Sequence, residues 1–526
     1  PTRPRLFSHG QYDKYQQMQY GPMEVDSWHY PGPGGPGRAA NSPRPVIFDE
    51  YCHLNTYNRE ETVTDPGLRD AWGRKFAAMW EAMVASEGCL GGALWAGIDE
   101  VYLLPEREVG WGAWGPIDSW YRPKPEYWHV KKVYSPVRIP NEPLAVPKAG
   151  EPICVPVVNR HDFTNLNELT VRWSLADETG AVTADIPPRA AGTLAIHPRS
   201  TELAGQTLEL TFHSPRGFLI DTFEFPVGKV ETPAATNADR PAAGPLQVRE
   251  ADHTITLTGR QVVWQIDRHT GMIRSVQAGG RTVLVGGPTL MILPLKGGQC
   301  AQTHSADIPP LNNACIDWQA ESVALHNSEQ GTEIEVRGAY REAKGIYRLH
   351  IDPAGRLTIG YRFESLQEVN PRQVGIVLDL PRTCDRLTWR RDAQWSVYPA
   401  DHIGRVAGEA RALRGPEWPE IGPRQRPPWP WPLDQNALGS NDFRATRHNI
   451  RSVSLDDAYG AGVQITSDGT QHARAFVEGD RIRLLIAGFS TAGGDMFFGR
   501  HLGDERRPLK VGSIVEDQVQ LGAMQP

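Results

Sequence analysis

The sequence predicts a multidomain protein in which a parallel α/β segment is followed by all-β domains. Three observations predict it. Over residues 1–137 short apolar runs alternate with helical stretches; from about residue 138 short alternating strands take over, with turns rich in Pro, Gly and Asn; and 526 residues exceed what one core holds, at roughly 150 residues per domain. Hydrophobic residues make up 40% and charged residues 22%, and no apolar run approaches the roughly 20 residues of a membrane helix, so no membrane partner is expected. The net charge of −7 comes without a basic stripe, which argues against nucleic acid and for an uncharged partner.

In the first segment "PRLFSHG", "EVDSWHYPG" and "PVIFDEY" read as short strands that end in polar groups. The next stretch carries Leu68, Trp72, Phe76, Met79 and Met83 at spacings of three and four, one face of a helix. Asp65 is placed to cap its first N–H groups, Pro66 suits the first turn, and Gly88 suits the left-handed residue that closes it. "CLGGALWAGI" then reads as a further buried strand. Strand, helix, strand with so long a crossover implies parallel pairing, in a barrel or a doubly wound sheet.

Beyond it, "ICVPVVNRHDF", "LTVRWSLADETGAV" and "TLELTFHS" predict a sandwich of immunoglobulin-like size over 138–230. Residues 231–245, "ETPAATNADRPAAGP", have a linker's composition, and 246–526 continue as hairpins of a large β-sandwich. The segment "RGPEWPEIGPRQRPPWPWPLDQNALGSNDF" is too rich in proline for an inner strand and is expected to be a long ordered loop. Cys52, Cys89, Cys154, Cys300, Cys315 and Cys384 show no C-x-x-C spacing, so neither a zinc site nor a disulfide framework is expected. Free thiols of a reducing compartment, the cytoplasm, are the simpler expectation.

The chemistry concentrates in "RPVIFDEYCHLNTYN", residues 44–58. Strand alternation puts Val46, Phe48 and Glu50 on one face and Ile47, Asp49 and Tyr51 on the other, so one of the two acids is expected to face a site. An acid that ends an apolar strand in a parallel barrel lies at the face where chemistry is done. His29 and Tyr30 end the preceding strand, Trp95 ends the following one, and His53 and Asn55 lie just behind Glu50. Aromatic faces beside hydrogen-bond donors suit a sugar, whose C–H face packs on a ring while its hydroxyls find partners.

"RPVIFDEYCHLNTYN" followed by the amphipathic helix and "GGALWAGIDE" resembles the seventh and eighth barrel strands of glycoside hydrolase family 2, and of its large β-galactosidases in particular. "WGPIDSWYRPKPEYWHVKKVYSPV" resembles the family's exit from the barrel, and "VVNRHDFTNLNELTVRWSLADETGAV" its following immunoglobulin-like domain. "GRQVVWQIDRHTGMIRSV", "WSVYPADHIGR" and "NDFRATRHNI" are similar to its small-chain domain. The resemblance implies that residues 1–137 are the C-terminal half of a (β/α)8 TIM barrel, and that 246–526 are a β-galactosidase small-chain-type sandwich. It makes Glu50 the nucleophile of a retaining glycosidase, with Tyr30 supporting it and His53, Trp95, His29 and Asn55 contacting the sugar. A terminal β-D-galactoside is the implied substrate, and a homo-oligomer the implied state of the full-length protein. Another family 2 β-glycosidase, or a non-catalytic carbohydrate-binding scaffold with a degenerate barrel, is the alternative.

Retention needs a second carboxylic acid about 5–5.5 Å from the nucleophile. The family carries it in an Asn-Glu pair upstream of everything in this chain, while Asn141-Glu142 and Asn167-Glu168 fall elsewhere. Asp99 or Glu100 could stand in. The simpler expectation is a chain that starts inside the barrel and is inactive alone. No metal site and no cofactor are expected in this chain, and magnesium and sodium are implied only for the full-length protein.

Overall fold

The computed structural model describes residues 3–6, 23–53, 59–228, 246–259, 261–295, 313–422, 424–491 and 502–525. Most of "PRLFSHG", the whole 231–245 linker and Asn55 lie outside them. The described chain is mostly β-sheet with few helices. It forms two compact units, one of residues 1–127, 240–392 and 401–526, the other of 128–239 with 393–400.

The first unit opens with three strands, β1 (Asp26–His29), β2 (Val46–Tyr51) and β3 (Cys89–Leu94), which form a sheet in chain order with both pairs parallel. β-Branched and aromatic residues make β2 a strand, and Val46 and Phe48 are fully buried. β3 is short of side chains because it lies close to β2: a Cβ on Gly92 would stand 2.7 Å from the Phe48 carbonyl oxygen. Helices α1 (Gly35–Ala39), α2 (Arg59–Thr64) and α3 (Gly67–Val84) fill the crossovers. The face that spacing predicts for α3 is the one it buries, Leu68, Trp72, Phe76, Met79 and Met83, with the Trp72 and Phe76 rings stacked 4.6 Å apart. Asp65 accepts from the Gly67 N–H at 2.9 Å, as a cap should, and Gly88 takes a φ of +80°. No described helix is long and apolar enough to cross a membrane.

The same unit holds an antiparallel assembly of nine-, five- and four-stranded sheets. Alternating side chains from all three meet in one core, among them Trp264, Tyr347, Ile376, Leu455 and Ile486. The four-stranded sheet, with strands Gly286–Pro294, Pro371–Pro381, Arg481–Ser490 and His472–Glu478, turns Ala473, Ala475 and Val477 to that core. Arg474 and Phe476 alternate with them on the opposite face. Contacts to the α2–α3 corner come from Arg372 and from the stretch 436–446: Arg444 Nε and Asn436 Nδ2 both donate to the Val63 carbonyl, at 3.0 and 3.2 Å. Within the long proline-rich segment, Trp429 and Trp431 are buried and Arg414 lies 3.8 Å over the Trp429 ring.

The second unit is built from a three-stranded sheet containing Ile153–Asn159 and Ala191–Ile196 and a four-stranded sheet containing Thr170–Leu175, Thr207–His213 and Leu219–Pro226. Val155 and Leu194 from one sheet and Leu208, Leu210 and Phe212 from the other share a single core. A buried ion pair joins two of its own elements, Lys132 Nζ to Asp221 at 2.6 Å.

Candidate active site

Parallel strands β1 and β2 present their C-terminal ends side by side, and this is what assembles the polar cluster. His29 is the last residue of β1 and pairs in register with Glu50 of β2. The register slips between Trp28 and His29, so that Asp49 is skipped. The burial pattern slips with it: Val46 and Phe48 are buried, and then Tyr51, rather than Glu50, continues the series. Tyr51 packs its ring 6.5 Å from Phe48 and 6.2 Å from Phe76.

That bulge corrects the expectation that only one of the two acids faces the site. Both reach the same imidazole. His29 Nδ1 lies 3.2 Å from Asp49 Oδ1, and Nε2 lies 3.6 Å from Glu50 Oε2. Asp49 Oδ1 also accepts the backbone N–H of Glu50 at 2.9 Å. The side chains of Asp49, Glu50 and His29 are 8%, 16% and 24% exposed, so the cluster is shielded yet open on one side.

Aromatic rings extend from it in sequence. The His29 and Tyr30 rings meet edge to face at 4.6 Å, Tyr30 lies 5.9 Å from His53, and His53 lies 5.0 Å from Trp114. His53 and Trp114 are buried. Tyr30 donates its backbone N–H to the Glu50 carbonyl at 2.9 Å. Its φ is +46°, and Cys52, on the other side of Glu50, has a φ of +51°. Left-handed backbone at a bulky side chain costs of order 1–3 kcal/mol, and two such residues bracket this cluster.

Of the residues that the sequence singles out, Glu50, His29, Tyr30 and His53 are therefore brought together. Trp95 follows directly after Leu94, which pairs with Tyr51, so it stands one residue beyond the level of Tyr51 on the neighbouring strand; it is half-buried, with a cis peptide to Ala96. Asn55 lies outside the described residues. Sequence reading misses Asp49 as a partner of His29 because alternation holds only in a regular strand. It also misses Trp114, whose one signal is its place in "GWGAWGP".

The stand-in acid Asp99 is held in a buried ion pair. Asp99 is buried, lies 2.6 Å from Lys124 Nζ and accepts the Gly115 N–H at 2.8 Å. Burial raises the Asp99 carboxyl against the opposing pull of Lys124, and lowers the Lys124 ammonium in the same way. Glu100 opens the hairpin strand Glu100–Leu103, after the strand end.

No family model matches the chain. A β-galactosidase of Klebsiella pneumoniae (strain 342) is 24% identical over 272 residues, which is 46% of this chain and 24% of that protein. The chain thus spans about a quarter of the length of this curated relative and bears a distant likeness to it. Among solved structures, a galactose mutarotase related enzyme from Lactobacillus acidophilus is 11% identical, with 51% of this chain and 97% of that one covered at a TM-score of 0.27. A β-D-mannosidase from Dictyoglomus thermophilum is 15% identical over 38% of this chain and 23% of that one, at a TM-score of 0.18.

Proposed function

We propose that this chain carries the nucleophile of a retaining β-glycosidase, acting on terminal β-D-galactosides, and that the nucleophile is Glu50. The observation that carries the reading is a carboxylate at the C-terminal end of a parallel strand, shielded but open on one side, with the His29 imidazole 3.6 Å away and the Tyr30 ring edge to face with that imidazole. The distant likeness to a β-galactosidase supports the same class of chemistry. In this reading Glu50 attacks the anomeric carbon and forms a glycosyl ester that water later hydrolyses. Tyr30 supports the carboxylate, and His53, His29, Trp95 and Asn55 contact the sugar. The three parallel strands are then part of a TIM barrel.

Asp49 is tied to His29 and Asp99 to Lys124, so in this reading neither is the acid that protonates the leaving oxygen. Those same engagements leave neither acid suited to hold a cation.

The test is a 2-deoxy-2-fluoro-β-D-galactoside with a dinitrophenolate leaving group, which needs no acid to depart. The full-length protein should trap a covalent sugar, and peptide mapping should place it on Glu50. Glu50→Gln should trap none. A label on another carboxylate, or none on the wild-type protein, overturns the proposal; sugar binding without labelling favours the non-catalytic scaffold.

A further inference from the structure

We propose that Asp49 is a positioning residue that orients the Glu50 carboxylate through the His29 ring, in an Asp49–His29–Glu50 relay. The role for Glu50 rests on the reading above; the orientation of the ring does not.

The Asp49 carboxylate is only an acceptor when ionised, and its Oδ1 already takes the Glu50 backbone N–H at 2.9 Å. His29 Nδ1, 3.2 Å from the same oxygen, must therefore carry a proton to make a favourable contact. With Nδ1 committed, the ring has one remaining nitrogen, and the geometry aims it at Glu50: Nε2 lies 3.6 Å from Oε2, a contact that is attractive when a second proton lies between them, on the ring or on the carboxyl. One carboxylate thus fixes the backbone that carries Glu50 and the imidazole that faces its side chain.

The strand bulge is what makes this possible. In a regular strand Asp49 and Glu50 would point to opposite faces and could not share a partner. Here the register slip between Trp28 and His29 brings both acids against the ring. Because Oε2 faces Nε2, Oε1 is the oxygen left to meet an incoming sugar. An imidazole held on the far side by a buried carboxylate cannot swing away as Glu50 changes charge, and fixed geometry at a nucleophile is worth much: a misplacement of about 1 Å costs on the order of a hundredfold in rate.

The experiment has two arms. In the first, ring nitrogens of 15N-histidine-labelled chain are read by long-range proton–nitrogen correlation, with the His29 signal assigned by its loss in His29→Gln. The wild-type chain should show a protonated Nδ1; Asp49→Ala should move the proton to Nε2, while Asp49→Asn, which keeps an acceptor oxygen, should restore it in part. Circular dichroism melting of both variants separates loss of fold from loss of the contact. An unprotonated Nδ1 in the wild type, or an unchanged tautomer in a folded Asp49→Ala, overturns the proposal. In the second arm, Asp49→Ala in the full-length protein should slow fluorosugar labelling about a hundredfold with initial sugar affinity changed less than threefold. Equal labelling rates overturn the positioning role while leaving Glu50 as nucleophile. Failure of the wild-type protein to label at all overturns the nucleophile reading, and the tautomer still decides the ring's orientation.

Discussion

Two acidic clusters in the same compact unit have similar ingredients and opposite surroundings. At the end of β2, Asp49, His29 and Glu50 are partly open, and their acceptors meet a ring that can gain or lose a proton. At the start of α3, Asp65 and Arg372 are each 1% exposed at the side chain, and every contact is made by a group that stays protonated. Asp65 Oδ1 takes the Gly67 and Thr446 N–H groups at 2.9 and 2.7 Å, and Oδ2 takes Arg372 Nη1 and Thr446 Oγ1 at 2.9 and 2.6 Å. Four donors fill four lone-pair sites, so this acid has no capacity left for chemistry. What separates the sealed carboxylate from the one proposed as nucleophile is a path to solvent, since both are buried enough to be ordered.

The sealed cluster gives the largest expected effect. Burial pushes the Asp65 carboxyl up, but the Arg372 and Arg474 charges and the Thr446 hydrogen bonds outweigh it and hold the acid well below the ordinary carboxylate range. Asp65→Ala should destabilise the chain by about 3–5 kcal/mol in urea denaturation, because it leaves two guanidinium groups buried without their counter-ion. A depressed folded-state pKa stabilises above the unfolded value, near 3.9, and that contribution is lost as pH falls toward the folded one. The difference between wild type and Asp65→Ala should therefore be full at neutral pH and shrink below about pH 4.

A change of sign at the neighbouring arginine sharpens the contrast. Arg474 is also 1% exposed, but Nε, Nη1 and Nη2 find no hydrogen-bond partner among the described residues, and the group rests 5.0 Å from the Phe476 ring. Burial and then Arg372 push its guanidinium down to about 9, against the pull of Asp65. Its charge is thus a net cost to the folded state at neutral pH. Replacing a poorly compensated buried charge with an apolar side chain is often neutral or stabilising, so Arg474→Met should raise stability by about 0–3 kcal/mol, whereas Arg372→Met should lower it. A large loss for Arg474→Met would mean that a partner outside the described residues completes the cluster.

How much of this was legible in the sequence follows the same divide. Leu68, Trp72, Phe76, Met79 and Met83 announce the buried face of α3 because helical periodicity is a local property. Asp65 is legible as a cap for the same reason, since its partner Gly67 lies two residues on. Its bonds to Arg372 and Thr446 are not, because they join residues some 300 and 380 positions apart. At the candidate site, Glu50, His29, Tyr30 and His53 stand out as polar groups ending apolar strands. Asp49 does not, because a one-residue slip in β2 changes which face it takes and leaves no mark in composition.

The β2–β3 contact tests whether the open cluster depends on backbone placement. A Cβ at Gly92 would approach the Phe48 carbonyl oxygen to 2.7 Å and the Phe48 Cβ to 2.9 Å, and both belong to the strand that carries Asp49 and Glu50. Gly92→Ala should cost about 1–3 kcal/mol in denaturant midpoint and should disturb the His29 ring signals, because the strand must yield rather than a flexible side chain. A stability loss with His29 unmoved would mean that the slip in register is held by the β1 side alone.

The smallest effect expected comes from the most exposed acid of the series, and it guards the comparison against a simpler explanation. Arg411 Nη1 lies 3.0 Å from Asp385 Oδ1, with the two side chains 45% and 40% exposed. If openness alone made a carboxylate cluster consequential, this pair would matter. Exposed pairs gain little attraction in water and lose side-chain freedom on forming, so Arg411→Ala should change stability by less than about 1 kcal/mol and leave fluorosugar labelling of the full-length protein unaltered. A larger loss would show that solvent exposure is a poor guide to what an ion pair does in this chain. A null result leaves the placement of Glu50, at a strand end and against a ring that can exchange a proton, as the feature that sets its cluster apart.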